Sequence, residues 1–263
     1  MKNIHLMVID PQVDFCDPSG ALFVSGADQD MIRLANFIES NQSRISEIHC
    51  TLDSHQFIHI AHPIFWVNSK KENPAPFTII TDEDVRNGTW RAKHPSLQQH
   101  AQEYVDALKV NNKHSLCIWP PHCLIGSKGH SIVPVMSDAL INWEKDTFNR
   151  VNYIAKGSNF LTEHYSAVQA DVPDDEDPTT KLNMYLIDEL IEADEIWITG
   201  EALSHCVANT TIDIANNFGE DNIKKLVLLE DTTSSVSGFE QMGQDFVKEM
   251  VGRGMRVSKT TNL

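Results

Sequence analysis

Positive charge is scarce in this sequence. Lys and Arg number 21 against 37 Asp and Glu, a formal net charge of -16 at pH 7. Such a chain is repelled by phosphate backbones and by anionic lipid surfaces, so neither nucleic acid nor a membrane is expected as a partner. Long apolar runs are missing too, and no stretch approaches the length of a membrane span. The residues before Asp10 are too few for a signal-peptide core and read instead as a first strand. Cysteine is sparse: Cys16, Cys50, Cys117, Cys123 and Cys206 form no Cys-x-x-Cys pair and leave one unmatched. That speaks against a disulfide framework and for a reducing compartment, with the cytoplasm as the default.

What is present suits an ordinary globular protein, with 41% hydrophobic and 22% charged residues. Strand-like runs are expected at 4–9, 47–52, 140–144, 151–155, 195–199 and 225–230. Helix-like segments are expected at 28–41, 96–109, 179–193, 204–218 and 238–253. In the third of these, Leu182, Tyr185, Leu186, Glu189 and Leu190 follow the i, i+3, i+4 spacing of an amphipathic helix. Alternation of this kind predicts an α/β fold, a three-layer sandwich around a mostly parallel sheet. There is no internal repeat and no long flexible linker, so one domain is expected over 1–263. Residues 56–91 are rich in Pro, Asn and polar side chains and read as a long loop with room for a small hairpin. The acidic run from Asp171 to Pro178 reads as a solvated turn.

The most informative stretch runs from Ile196 through Gly200-Glu-Ala-Leu-Ser-His-Cys206. A β-branched and aromatic run ends at Gly200, and a helical pattern begins near Ser204. One cysteine therefore stands at a strand-to-helix turn, where free backbone N–H groups are expected to lower a thiol pKa. The alternative is a buried, inert core thiol. Other polar residues also fall at strand ends: Asp10 after 4–9, Asp53 after 47–52, and Lys156 after 151–155. A turn-forming Asp10 or a surface Lys156 would each be unremarkable alone. Ligands of open parallel sheets bind beyond the carboxyl ends of the strands, so delivery of all four groups to one edge favours a functional site.

Five motifs occur in an order that makes the chain resemble the nicotinamidases, within the isochorismatase-like cysteine hydrolases. They are Asp10-Pro-Gln-Val-Asp-Phe15, Asp53-Ser-His55, Trp119-Pro-Pro-His-Cys123, Lys156-Gly157 and Gly200-Glu-Ala-Leu-Ser-His-Cys206. The first and last are shared broadly across the superfamily; Trp-Pro-Pro-His-Cys is more specific and weighs most. The resemblance implies an isochorismatase-like, Rossmann-like domain with an insertion at about 56–118. It implies a catalytic triad of Asp10, Lys156 and Cys206, and an oxyanion hole from the N–H groups of Ala202 and Cys206. A non-proline cis peptide between Glu201 and Ala202 goes with that geometry. It further implies one divalent transition metal (Zn, Fe or Mn) on Asp53, His55 and His122, with Phe15 and Trp119 flanking the ring of a small carboxamide. His59 is a candidate to replace or supplement a ligand, whereas His62, just before Pro63, is assigned to loop structure. The implied reaction is deamidation of nicotinamide through a thioester, as in NAD salvage; a homo-oligomer is compatible with it.

Three departures bear on the substrate. The stretch from Asp53 to His122 is long for the compact members, Glu201 stands where an apolar residue is more usual, and Ser204 replaces an Asp two positions before the cysteine. Two other readings therefore stand beside nicotinamidase: an amidase of the same fold for another small carboxamide, and a catalytically silent binding protein.

Overall fold

The computed structural model describes residues 2–263, so Met1 of the expected domain lies outside the described residues. Six strands form the central sheet: β1 (Ile4–Ile9), β2 (Glu47–Asp53), β3 (Asn152–Lys156), β4 (Glu195–Gly200), β5 (Leu226–Leu229) and β6 (Arg256–Ser258). Their spatial order is β6-β5-β4-β1-β2-β3, and every neighbouring pair is parallel. Both β1 and β4 are buried along their whole length, as befits parallel strands covered on two faces.

On one face pack α1 (Ala27–Asn41), α2 (Gln98–Val110) and α3 (Pro134–Thr147), through residues such as Leu34, Ile38, Tyr104, Leu140 and Trp143. On the other lie α4 (Met184–Ile191), α5 (Ala208–Asn217) and α6 (Glu240–Arg253), contributing Leu186, Leu190, Ile214, Phe246 and Met250 to a second apolar layer. The expected α/β sandwich is thus the observed one. From β1 the chain builds outward through β2 and β3, then returns to place β4 on the other flank of β1. This reversal between β1 and β4 opens the crevice where such sheets bind ligands.

One expected strand is wrong. Residues 140–144 belong to α3, which begins with Pro134 in its first turn and buries Met136, Ala139, Leu140 and Trp143 at helical spacing. The apolar side chains that suggested a strand are the core-facing stripe of a helix. Within the 56–118 insertion α2 is the helix expected at 96–109. The part read as a long loop is more structured, with a helix at Asp82–Arg86 opened by a Thr81–Asp84 capping box and strands of two short antiparallel ribbons. These pair Trp66–Val67 with Arg91–Ala92, and Ile79–Ile80 with Leu116–Cys117. The three-residue edge strand β6 gave no signal in the sequence.

The acidic run holds a second difference. Asp177 caps a short helical turn at Pro178–Thr180 from solvent, but Asp171 is buried, with Lys113 Nζ at 3.7 Å. Burial pushes its carboxyl up to about 7, although Lys113 pulls the other way. The folded state therefore holds a proton that the unfolded chain, at about 3.9, gives up. The stability this contributes is complete below about pH 4 and is lost as pH rises through about 7. Asp171→Asn is expected to flatten the fall in denaturation midpoint between pH 5 and pH 8. The same slope in the variant as in the parent would clear Asp171 as its source.

Candidate active site

The carboxyl ends of β1, β2, β3 and β4 deliver four groups to one place. Asp10 follows β1 with φ 45°, a left-handed conformation that turns the chain sharply out of the strand. Thr51 on β2 holds it twice, donating to Asp10 Oδ1 at 2.5 Å and accepting from Asp10 N–H at 3.0 Å. Lys156 ends β3, fully buried, and its ammonium joins the site together. It lies 2.9 Å from Asp10 Oδ2, 3.1 Å from Asp53 Oδ1, 3.2 Å from the His164 carbonyl and 3.5 Å from Cys206 Sγ.

Gly200, at the end of β4, crosses the β1 backbone so closely that a Cβ would sit 2.0 Å from the Ile9 carbonyl oxygen. Its φ of 103° is likewise open only to glycine. The Glu201–Ala202 peptide that follows is cis, as the family resemblance implied. From there the chain makes one wide helical turn over Leu203–Val207, closed by Val207 N–H donating to the Ala202 carbonyl at 3.1 Å, before α5 begins. Cys206 sits in this turn. The Ala202 N–H donates to no group among the described residues.

The motif residues between the reactive groups have positioning tasks the sequence did not disclose. Gln12 grips the Asp53 backbone with both ends of its amide, donating to its carbonyl at 2.7 Å and accepting from its N–H at 2.7 Å. Asp14 accepts from Cys123 N–H at 2.7 Å and so fixes the segment carrying His122. The two departures near the cysteine make local hydrogen bonds, although Glu201 Oε1 has no partner among the described residues. Glu201 is wholly buried and accepts from Ser234 N–H at 3.0 Å; Ser204 Oγ contacts His205 Nδ1 at 2.8 Å and accepts from Val236 N–H at 3.1 Å.

Asp53, His55 and His122 converge as a ligand set. Asp53 Oδ2 is 2.9 Å from His55 Nε2 and 3.4 Å from His122 Nε2. Each imidazole has its Nδ1 against a backbone carbonyl, Gly157 for His55 at 3.1 Å and Pro120 for His122 at 2.8 Å. That contact suits a proton on Nδ1, so Nε2 is the nitrogen placed to ligate an ion held between it and the Asp53 carboxylate, with the ion taking the place of the proton that Nε2 otherwise shares with Asp53. The donor chemistry fits a divalent transition metal. Gly157 is required beside it, since a Cβ there would stand 2.8 Å from His55 Cε1.

His62 lies in the loop it was assigned to, its Nδ1 at 3.1 Å from the Phe57 carbonyl, and is also buried in the imidazole cluster, 5.6 Å from His122 and 5.1 Å from His59 between ring centroids. The Nε2 atoms of both His59 and His62 lack hydrogen-bond partners among the described residues. His59 also forms a second potential ligand group with His55 and Glu163.

Electrostatics distinguishes the groups. Burial alone would raise the Asp53 carboxyl, but His55 and Lys156 hold it well below the usual carboxylate range. For Asp10 burial wins over Lys156, and the carboxyl is raised. Burial would lower Lys156, but the surrounding Asp10, Asp53 and Cys206 outweigh it and keep its ammonium protonated well above the ordinary range. The thiol behaves unlike the sequence expectation. Burial pushes Cys206 well above its ordinary value and outweighs Lys156, because the helix-start argument presumes a solvated thiolate. A thiolate here must form as its proton moves elsewhere.

A narrow cavity connects these groups. Cys206, Ala202, Asp53, His122, Phe15 and Trp119 all line it, so the structure brings together reactive, metal-binding and aromatic candidates. Glu163, Tyr165 and His205 also line it and were not found from the sequence. Tyr165 accepts from Trp119 Nε1 at 2.9 Å, and His205 packs edge-on to Trp119 at 5.1 Å. Adjacency to Cys206 was the one available signal for His205; the irregular segment holding Glu163 and Tyr165 has no periodicity to read.

No family model matches the chain. It is 28% identical over 229 residues to the nicotinamidase of Saccharomyces cerevisiae, covering 86% of each sequence. The fold matches the crystal structure of the yeast nicotinamidase bound to the inhibitor nicotinaldehyde, with TM-score 0.68, 21% identity, and 97% and 99% of the two chains covered. An Acinetobacter baumanii nicotinamidase/pyrazinamidase superposes at TM-score 0.67 with 19% identity over 99% and 98% of the chains. A Pyrococcus horikoshii pyrazinamidase in complex with zinc gives TM-score 0.58 at 19% identity, over 98% and 99%.

Proposed function

We propose that this chain belongs to the nicotinamidase and isochorismatase-like hydrolases and is a metal-containing cysteine amidohydrolase that converts nicotinamide to nicotinate and ammonia. One observation carries the reading. The Asp10–Lys156–Cys206 network and the Asp53–His55–His122 cluster share a lysine-bridged carboxylate and open on one aromatic-lined cavity.

The chemistry follows from the residues. As Cys206 Sγ bonds to the carboxamide carbon, ionised Asp10 takes the thiol proton, which overcomes the raised thiol pKa. Lys156 keeps the carboxylate charged and close. Negative charge on the carbonyl oxygen is met by the backbone N–H groups of Ala202 and Cys206. Asp10 then returns the proton to the amide nitrogen, the C–N bond breaks and ammonia leaves. Water attacks the thioester with Asp10 again as base, releasing the carboxylate product and the thiol. Asp53, His55 and His122 would hold a Zn, Fe or Mn ion, which when bound supplies a Lewis-acid contact for the pyridine nitrogen. The zinc complex of the Pyrococcus pyrazinamidase supports this choice of metal class. Phe15 and Trp119 would flank the ring. All five cysteines are free and buried, which suits a reducing cytoplasm.

The test compares nicotinamide with benzamide, which lacks the ring nitrogen. The kcat/KM for benzamide is expected to be lower by about 100-fold or more, because remote binding energy helps orient the reacting carbonyl. A second reading, an amidase for a different carboxamide, draws on the 56–118 segment, which places Phe77 5.7 Å from Trp119 and brings His59 and His62 to the site. Equal values for the two amides would favour it, and no ammonia from any amide would favour a silent binding protein.

A further inference from the structure

The opposite edge of the sheet carries a second cluster that the reaction does not use. His5 lies near the start of β1, and Glu47 and His49 lie at the start of β2. The parallel register pairs His5 with Glu47 and Met7 with His49, so the three side chains share the α4 face of the sheet. His49 lies two residues beyond Glu47 along β2, which sets it diagonally across from His5. His5 and His49 are buried; the Glu47 side chain is 52% exposed at the rim.

Their ligand atoms converge. His5 Nδ1 and His49 Nε2 are 3.1 Å apart, and Glu47 Oε2 is 3.8 Å from His49 Nε2. Two imidazole nitrogens on one zinc ion, at about 2.05 Å each and near-tetrahedral angles, stand about 3.3 Å from one another. The observed separation needs little adjustment to admit an ion, and the exposed carboxylate has room to swing inward. Both imidazoles are kept neutral by burial, His49 down to about 3, so each offers a lone pair rather than a charge.

The surroundings match as well. Behind His49 Nδ1 stand Asn152 Nδ2 at 3.2 Å and the Glu189 carboxylate of α4 at 3.8 Å. Asn152 also donates to Glu189 Oε2 at 3.2 Å, which steadies that carboxylate against the imidazole. The Asn152 amide N–H donates to His49 Nδ1, so Nε2 carries the proton it shares with His5 Nδ1. A metal ion between them takes that proton's place, the ring changing to its Nδ1–H tautomer with the Glu189 carboxylate as the acceptor at hand. Glu47, Asn152 and Glu189 line a polar surface groove, and the buried imidazoles of His5 and His49 lie behind these residues. Arg150 lines it too and opposes a cation, but Glu47 and Glu189 outnumber it.

We propose that His5 Nδ1, His49 Nε2 and the Glu47 carboxylate form a second divalent transition-metal site, tying β1 to β2 at the edge remote from the thiol. Two imidazoles and one carboxylate, completed by water, select a borderline ion such as zinc over calcium or magnesium. His49 and Asp53 are four residues apart on β2, roughly 13 Å, so the two clusters hold separate ions. The site does not depend on the activity proposed above.

The experiment strips the full-length protein of metal, titrates it with Zn²⁺ and measures the bound equivalents by elemental analysis after gel filtration. Wild type is expected to retain one more equivalent than His5→Gln, while His122→Ala loses a different one, so the double variant loses both. Ammonia release by His5→Gln, with metal restored at Asp53, is expected to match wild type. Should His5→Gln fail to fold, Glu47→Gln at the exposed rim still tests the site: zinc affinity there falls about tenfold or more. Zinc should raise the wild-type Tm by roughly 5 °C at a hundredfold excess over Kd, and the Glu47→Gln Tm by much less when both carry His122→Ala. Equal zinc stoichiometry and equal Tm shifts in the folded variants and the parent would overturn the proposal.

Discussion

Cys206→Ala is expected to cut ammonia release from nicotinamide by on the order of 10⁴-fold or more, with the fold unchanged. The loss is this large because no neighbouring thiol can substitute. Cys16 and Cys123 are both buried, and burial raises both thiols well above their ordinary values, with Lys156 opposing this for Cys123 only as the smallest of its influences. Cys206 alone has the Lys156 ammonium at 3.5 Å from its sulfur. The turn that holds it does not need the side chain, being closed by main-chain bonds from Val207 to Ala202 and from Leu203 to Ser234. Circular dichroism and denaturation midpoints should therefore be close to wild type. Mass spectrometry of quenched parent enzyme should place any acyl adduct on the peptide containing Cys206. Wild-type turnover in a pure alanine variant would sink the covalent mechanism.

Much of the candidate site was legible because of where parallel strands stop. Asp10, Asp53 and Lys156 each end an apolar run, and a shared sheet edge then makes neighbours of residues far apart in sequence. The strand at 140–144 misled because Leu140, Ile141 and Trp143 are as compatible with a buried strand as with a helix; only the longer spacing back to Met136 and Pro134 decides between them. Glu163 and Tyr165, and the place of His62 in the imidazole cluster, were not legible for another reason. They lie in irregular chain whose path is set by tertiary hydrogen bonds, such as Ile60 N–H to the Phe160 carbonyl at 2.8 Å and Glu163 N–H to Tyr104 Oη at 3.1 Å. The thiol pKa was misjudged because local sequence reports a helix start but not how much water reaches it.

Lys156→Met should be the most damaging change to stability as well as to activity. The ammonium neutralises two buried carboxylates, Asp10 at 2.9 Å and Asp53 at 3.1 Å, and methionine fills nearly the same volume without the charge. Breaking a buried ionic cluster by removing one partner costs about 3–5 kcal/mol, since the remaining charges are left in a poor solvent. Activity should fall at least about 1,000-fold, because Asp10 loses the contact that keeps it ionised to accept the thiol proton. The sign of the pH dependence separates this cause from simple loss of packing. Burial already raises Asp10, and without Lys156 nothing comparable opposes it. Its folded-state pKa then lies still further above the unfolded value of about 3.9. Protonated Asp10 is tolerated in the core, so its contribution to stability is complete below about pH 4 and is lost as pH rises through the raised folded-state value. The deficit of Lys156→Met relative to wild type should accordingly be smaller at pH 5 than at pH 8 in urea denaturation. A deficit of equal size at both values would assign the loss to packing, and wild-type turnover in the variant would remove Lys156 from the reaction.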